Sequence, residues 1–251
     1  MCRPAEYLGD PDFASVPVKG LLSKEYAASQ RGTIDRLRHR HPSTAGDPLP
    51  FDASESSGDK HTTHLCVVDS FGNAVSLTAT INTPFGSGVI VPGTGFFLNN
   101  EMDDFVTWPG KPNYFGLIGT AANEIEPGKR PLSSMSPTIV VKDGQPFMVV
   151  GSMGGPRIIT AVLLAIINAV DYGMTIQEAI DFPRLHHQWI PDELWLEKEY
   201  SSDVVSALRN RGHTVSVRTH WSATTGILAD STYGGWWGAS DSRITGLAAG
   251  F

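Results

Sequence analysis

A sharp change in composition near residue 61 constrains the fold of this chain more than any other feature of its sequence. Residues 41–60 are rich in Pro, Ser, Gly and Asp and almost lack apolar side chains, which is typical of an exposed linker. Two strand-like runs follow, residues 64–69 and 74–82, with Ser70-Phe71-Gly72-Asn73 between them. A Gly-Asn turn between β-branched runs predicts a β-hairpin.

The expected hairpin brings two threonines near each other. If Asp69 faces Ala74, Thr63 pairs with Thr80, and Thr62 lies one position beyond that pair. The hydroxyl of Thr80 is then expected within a few ångströms of Thr62. This register is inferred from the length of the turn, and a slip of one residue would move every side chain to the other face.

The composition favours a β-rich or mixed fold, because 26 glycines and 17 prolines allow many tight turns and disfavour a helical bundle. One amphipathic helix is still predicted, with Pro156 at its start and a wide apolar stripe over residues 158–170. The net charge of −7 argues against nucleic acid, since phosphate binding needs a basic face. Cys2 and Cys66 give neither a disulfide framework nor a metal-ligand spacing, so no metal site is expected.

Thr62 lies where the linker meets the first strand, and this position suits a nucleophile that is released by cleavage. A threonine at the start of a chain is activated by its own α-amine, whose pKa of about 7.7–8.0 lets it accept the hydroxyl proton without a histidine. Cleavage after His61 would create such a residue. A threonine that opens a strand is otherwise an ordinary β-former, so the residues alone leave both interpretations open.

Several long motifs resemble those of γ-glutamyltransferases. They occupy residues 62–64, 67–69, 72–76, 82–88, 98–105, 130–138, 151–157 and 238–241, and upstream residues 6–13. The resemblance covers essentially the whole chain. It implies the α+β fold of N-terminal-nucleophile hydrolases, a four-layer αββα sandwich of which this chain supplies the C-terminal half. Residues 1–40 would be the tail of the large-subunit region, residues 41–61 the linker ending at the cleavage site, and residues 62–251 the small-subunit catalytic region.

The resemblance also implies roles for individual residues, by position. The implied residues are the nucleophile Thr62 and its supporting Thr80; Asn82, Glu101 and Asp104 for the α-ammonium of a γ-glutamyl group; Ser133 and Ser134 for its α-carboxylate; and the N–H groups of Gly154 and Gly155 for the oxyanion.

Most of these positions also have a structural interpretation. Glu101 and Asp104 fit a solvated acidic turn equally well, and Ser133-Ser134 fits an ordinary polar turn. Gly154-Gly155 fits a tight turn between a strand and a helix, although such a place also offers free N–H groups and a favourable dipole. The residues alone do not separate these interpretations.

The loop over residues 109–119 resembles the lid of the family, with Phe115 where bacterial relatives often carry a tyrosine. A phenyl ring can cover a site but cannot latch it through a hydroxyl hydrogen bond. The resemblance further implies a partner, the N-terminal large-subunit portion, whose arginine would complete the carboxylate clamp. That portion does not precede Met1 in this sequence, so we expect the chain alone to show little transfer. The family suggests a periplasmic or extracellular location.

The implied activity is γ-glutamyl transfer and hydrolysis of glutathione and related compounds through a γ-glutamyl-threonine ester, after self-cleavage between His61 and Thr62. Water, an amino acid or a peptide would accept the glutamyl group, and no cofactor is expected. Two alternatives stay open. An acylase on the same fold would take dicarboxylic acyl side chains such as those of cephalosporins, which Glu101 and Asp104 argue against. The second alternative is a non-catalytic or unprocessed fragment, because the nucleophile exists only after cleavage.

Overall fold

The computed structural model describes residues 7–39, 62–230, 232 and 234–250. The linker predicted over residues 41–61, including His61, lies outside the described residues. Before it come two short helices, α1 (Val18–Leu21) and α2 (Lys24–Gly32). No helix in the described ranges is both long enough and apolar enough to cross a membrane.

The described body from Thr62 onward contains nine strands and three further helices. The strands are β1 (Thr62–Val68), β2 (Ala74–Thr80), β3 (Thr138–Lys142), β4 (Gln145–Met153), β5 (Leu185–His186), β6 (Leu194–Glu197), β7 (Val215–Arg218), β8 (Ala223–Ala229) and β9 (Trp236–Ser240). The helices are α3 (Arg157–Val170), α4 (Ile176–Asp181) and α5 (Ser202–Asn210).

These elements form stacked layers. The hairpin β1-β2 packs on β4 and β8, which are the central strands of a sheet with the order β3-β4-β8-β9. Helices α3 and α4 pack on that sheet, and a third sheet has the order β5-β6-β7. Two sheets and a helical layer confirm the expected mixed fold. Its main core consists of apolar side chains from β4 and the two helices, among them Met148, Val150, Ile158, Val162, Ala165, Ile176 and Ile180.

Helix α3 forms where the sequence predicts it. Pro156 immediately precedes its first residue and has a helical φ of −63°, which suits proline at this position. The apolar stripe buries Ile158, Val162 and Ala165, each no more than 3% exposed. Because α3 starts two residues after the glycine pair, its packing also places that pair at the edge of the sheet.

The hairpin forms, but the predicted register was wrong by one residue. Ala74 faces Val68 instead of Asp69, and Thr80 therefore faces Thr62 directly. The slip shifts every cross-strand pair, yet it brings the two threonines closer than predicted, because directly opposed residues are nearest neighbours on a sheet face.

A carboxylate inside the turn explains the different register. The Asp69 side chain accepts hydrogen bonds from the N–H groups of Phe71 and Asn73 at 2.9 and 2.8 Å. The Asp69 N–H also donates to the Asn73 carbonyl at 3.0 Å, which closes the loop one residue earlier than the predicted turn. Gly72 adopts a φ of +83°, a value that glycine takes without strain.

The inward face of the hairpin is polar, although it lies between two sheets. Nδ1 of His64 lies 2.7 Å from the Thr78 hydroxyl, and burial lowers the pKa of this histidine to about 4. The ring fits only because a glycine faces it: a Cβ on Gly151 would lie 2.0 Å from a ring atom of His64. Thr62 and Thr80 continue this polar strip to the edge of the sheet.

Candidate active site

Residues from separate parts of the chain meet in one cleft at the start of β1. Its lining consists of Thr62, Thr80, Asn82, Glu101, Asp104, Phe115, Ser133, Ser134, Met135, Gly155, Pro156 and Ile158. The structure therefore brings together every site residue predicted from the sequence except two. Gly154 is adjacent to the lining residue Gly155, and His61 lies outside the described residues.

Thr62 is held by the threonine opposite it. Its hydroxyl donates to Oγ1 of Thr80 at 3.0 Å, and the same oxygen accepts the N–H of Asn82 at 2.9 Å. Thr62 is only 8% exposed, so its hydroxyl is shielded and fixed in direction. A φ of +74° at Asn82 turns the backbone sharply at this point and allows the second bond. The arrangement can orient a nucleophilic oxygen.

Glu101 and Asp104 lie at the two ends of one 3-10 turn, a geometry that aligns side chains three residues apart. The pKa of Asp104 is raised to about 7, mainly by burial and in smaller part by the negative charges of Glu101 and Asp103. Burial also raises the pKa of Glu101. Oε1 of Glu101 is buried and accepts no hydrogen bond from the described residues. A cation with several N–H donors would satisfy this pair.

Two asparagines that were not predicted as site residues hold the acidic turn in place. Oδ1 of Asn100 accepts the N–H and the hydroxyl of Thr83 at 3.1 and 2.9 Å, and its carbonyl accepts the side-chain amide of Asn82 at 3.2 Å. Asn123 donates to the carbonyl of Asp104 at 2.7 Å. Asn100 belongs to the motif over residues 98–105, which could have indicated it. Asn123 has no comparable local signal.

Ser133 and Ser134 line the cleft without a positive charge beside them. The described part of the lining contains neither lysine nor arginine. Arg130, close in sequence, is already engaged, because its guanidinium lies 2.5 Å from an oxygen of Asp10 and 2.6 Å from one of Asp12. A carboxylate bound by the two serines would therefore need a cation from elsewhere.

Only glycine fits at positions 154 and 155. The φ values of Gly154 and Gly155 are +133° and +59°. A Cβ on Gly154 would lie 2.6 Å from the carbonyl oxygen of Trp221, and a Cβ on Gly155 would lie 2.6 Å from a ring atom of Phe115. Neither N–H group donates to any of the described residues. Two free N–H groups beside the start of α3 can stabilise an oxyanion.

The loop predicted as a lid contacts the glycine pair through one aromatic ring. The ring of Phe115 lies against Gly155 and makes an edge contact with Tyr114, with 5.2 Å between the ring centroids. Oδ1 of Asn113 accepts the N–H groups of Phe115 and Leu117, each at 3.0 Å, and so shapes the loop from within. Phe115 therefore lines the cleft and packs against the glycine pair.

One group of possible metal ligands lies away from the cleft. Single ligand atoms of Glu197, Glu199 and His220 come within 4.8 Å of one another. Arg243, however, donates to Glu197 at 2.7 Å and to His220 at 3.3 Å. A metal ion there would meet a fixed positive charge, so we assign no metal site to this group.

Comparisons with known proteins point to one family. The family model described as "Gamma-glutamyltranspeptidase" matches residues 1–251. A glutathione hydrolase proenzyme of Escherichia coli (strain K12) is 48% identical over 248 residues, which is 98% of this chain and 42% of that protein. The chain thus spans less than half the length of this curated relative.

Two solved structures show related folds. A mutant of Helicobacter pylori gamma-glutamyltranspeptidase matches with a TM-score of 0.70 and 50% identity, over 72% of this chain and 100% of that one. A cephalosporin acylase from Bacillus halodurans matches with a TM-score of 0.79 and 28% identity, over 98% of this chain and 42% of that one.

Proposed function

The chain belongs to the gamma-glutamyltranspeptidase family, and on this premise we propose that it is the nucleophile-bearing part of an enzyme that transfers γ-glutamyl groups from glutathione and related compounds to water or an amine. One observation carries the proposal: a fixed threonine hydroxyl shares its cleft with a partly buried acidic pair that has an unsatisfied oxygen. The first group suits acyl transfer, and the second suits the α-ammonium of a glutamyl donor.

The proposed nucleophile arises by self-cleavage. Thr62 Oγ1 attacks the carbonyl of His61, an N→O acyl shift converts the peptide bond to an ester, and water hydrolyses that ester. The products are a carboxyl group on His61 and a free α-amine on Thr62. This amine then serves as the base for the hydroxyl of its own residue, as in other enzymes with an N-terminal threonine.

The proposed transfer uses the same oxygen a second time. Thr62 Oγ1 attacks the γ-carbonyl of the donor while its α-amine takes the hydroxyl proton. The N–H groups of Gly154 and Gly155 bind the oxyanion, and the proton passes to the leaving amine as the γ-glutamyl ester forms. Water or an acceptor amine then attacks the ester and restores the free threonine. Thr80 keeps the hydroxyl oriented throughout.

Donor recognition is proposed to divide between two groups of side chains. Asn82, Glu101 and Asp104 bind the α-ammonium, while Ser133-Ser134 binds the α-carboxylate. The second group lacks a cation within the described cleft, and we propose that an arginine of the large-subunit portion supplies it. Phe115 limits the entry of water without a hydroxyl latch.

That large-subunit portion is the proposed protein partner. The outer face of the β1-β2 hairpin leaves Leu65, Val67, Val75 and Leu77 between 43% and 51% exposed, which is a large apolar face for the surface of a sheet. The end of the large-subunit region would stay attached after cleavage, because the buried Asp10 carboxylate is paired with Arg130 of the main body. These contacts support the proposed division at residues 41–61.

A dicarboxylic-acyl acylase is the second candidate, favoured by the structural likeness to the Bacillus halodurans protein. An acylase for a glutaryl group binds no α-ammonium. The acidic pair Glu101–Asp104 would then be buried without a positive partner, which is costly. This cost favours the γ-glutamyl donor.

A covalent trap tests the function directly. We expect that full-length gene product mixed with excess γ-glutamyl anilide and quenched with acid within a turnover will contain a fragment beginning at Thr62 that has gained the mass of one γ-glutamyl group. Tandem mass spectrometry should place the added mass on Thr62, because the ester forms there. Turnover without any adduct, even after rapid quenching, would point to direct attack by water and contradict the ester mechanism.

Binding of the α-ammonium should depend on pH through Asp104. Because burial raises its pKa to about 7, the carboxyl is protonated below that pH and must lose its proton to bind a cation. We expect the inhibition constant of L-glutamate to rise about tenfold per pH unit from pH 7 to pH 5 and to stay level just above pH 7. Glutarate, which lacks the amine, is the matched control and should not weaken as the pH falls. Parallel curves for the two inhibitors would contradict the assignment.

A further inference from the structure

His39 is the last described residue of the proposed large-subunit tail, and there an exposed segment joins the main body. Residues 27–38 are all exposed to solvent, whereas the side chain of His39 is only 13% exposed. Burying a polar ring is costly unless its nitrogens find partners. The partners of His39 include Asp192 and the carbonyl of Arg211, both in the proposed small-subunit region. The contact therefore joins two parts of the chain that the proposed cleavage separates.

A carboxylate that the main body already holds in place accepts the imidazole of His39. Oδ2 of Asp192 lies 2.9 Å from Nε2 of His39, and Oδ1 of the same side chain lies 3.0 Å from Nε2 of His187. The N–H of Trp189 donates to Nδ1 of His187 at 3.1 Å, so the proton of that ring is on Nε2 and points to Asp192. Burial lowers the pKa of His187, which fits this neutral form. Asp192 is thus oriented by its own loop, with one oxygen directed at the tail.

The loop between α5 and β7 supplies the other contacts of His39. The backbone N–H of His39 donates to the carbonyl of Arg211 at 2.6 Å, and the ring centroids of His39 and His213 are 4.5 Å apart. Gly212 lies between these two partners and has a φ of +95°. A Cβ on Gly212 would lie 3.7 Å from the Cβ of His39, which is ordinary contact. A backbone bond, a ring contact and a carboxylate therefore converge on one residue of the tail.

We infer that Asp192 and the loop over residues 211–213 form a docking site on the small-subunit region, which retains the large-subunit tail through His39 before and after the two are cut apart. The inference rests on the proposed function, because that function includes the cut. Near the start of the same tail, Asp10 is paired with Arg130 of the main body. The tail is therefore fastened at both ends of its described length, and the part released by cleavage begins from a fixed point.

Paired cysteines test whether the tail stays docked after cleavage. In the full-length gene product, His39→Cys with Gly212→Cys would place two Cβ atoms 3.7 Å apart, a separation that suits a disulfide. We expect non-reducing electrophoresis of the self-cleaved protein to show both fragments in one band, which dithiothreitol separates. Arg36→Cys with Gly212→Cys is the matched control. It should not link the fragments, because Arg36 has no atom within 4 Å of the same point.

Trypsin measures the same contact without engineered cysteines. In self-cleaved Asp192→Ala, the bond between Arg38 and His39 should be cut about 10- to 100-fold faster than in the unmodified enzyme, since loss of the contact frees the tail for the protease. Asp203→Ala removes an exposed carboxylate of α5 and is the matched control, for which we expect no change. Turnover of a γ-glutamyl anilide should stay within about twofold in both variants, because neither residue lines the cleft.

Two results would overturn the docking site. One is a disulfide that forms in an uncut Thr62→Ala protein but not in the self-cleaved enzyme, because the tail would then leave the main body once it is cut. The other is equal trypsin cleavage after Arg38 in the unmodified enzyme and in Asp192→Ala. A full-length protein that shows the disulfide and the protection from trypsin, but no γ-glutamyl turnover, would instead overturn the proposed function and leave the docking site in place.

Discussion

Replacing Thr62 by alanine is expected to abolish both self-cleavage after His61 and γ-glutamyl transfer in the full-length gene product. Both reactions need the same oxygen, and alanine keeps the strand but has no hydroxyl. We expect a single uncut chain by intact-mass analysis, where the unmodified protein gives a fragment that begins at Thr62. Turnover of a γ-glutamyl anilide should fall by at least about 10³-fold, the scale on which loss of a catalytic nucleophile acts.

Thr63→Ala is the matched control for this experiment. Thr63 is the next residue of β1, but its side chain lies on the exposed face of the hairpin, whereas Thr62 is buried. This variant should mature and turn over donor at nearly the unmodified rate. A Thr62→Ala protein that still matures between residues 61 and 62 would show that another group performs the cleavage.

The second large effect is expected from Asp104→Asn, and it should depend on the substrate. Asparagine nearly preserves the shape of the side chain but removes the charge that would bind an ammonium. A charge-assisted hydrogen bond of this kind contributes about 1.5–3 kcal/mol, so kcat/KM for a γ-glutamyl anilide should fall about 10- to 100-fold. Glutaryl anilide has no amine. We expect the unmodified enzyme to turn it over more slowly than the γ-glutamyl anilide, and its kcat/KM should fall far less in Asp104→Asn.

The neighbouring carboxylate supplies a control for this variant. Asp103 accepts the N–H of Tyr114 at 2.9 Å and is absent from the lining of the Thr62 cleft, so Asp103→Asn should affect both substrates slightly and equally. Equal losses on both anilides in Asp104→Asn would argue against recognition of the ammonium. A natural preference for glutaryl anilide in the unmodified enzyme would favour the acylase alternative.

Much of the local structure was predictable because it depends on residues that are close in sequence. Two β-branched runs around a Gly-Asn turn predict the hairpin, and Pro156 followed by an apolar stripe predicts α3; both form. The candidate site residues were named through a resemblance carried by several long and unusual motifs. Their roles stay predictions, but the structure places the described ones in the lining of one cleft, except Gly154, which is adjacent to it.

The register of the hairpin could not be obtained from those local patterns. Strand propensity hardly changes when the pairing shifts by one residue. The hydrogen bonds of the Asp69 carboxylate within the turn, in contrast, fit only one register. These bonds close the loop one residue earlier and set Thr62 opposite Thr80. A local side-chain contact thus decided which hydroxyl lies next to the candidate nucleophile.

By itself, the sequence determined the types and spacing of the reactive groups, and with them the family. Only the tertiary structure decided their electrostatic state and the support that they receive. The pKa of Asp104 rises to about 7 because distant segments bury it, and Asn123 reaches the carbonyl of Asp104 from a separate segment. Desolvation and contacts between distant segments depend on packing, which no pattern of neighbouring residues encodes.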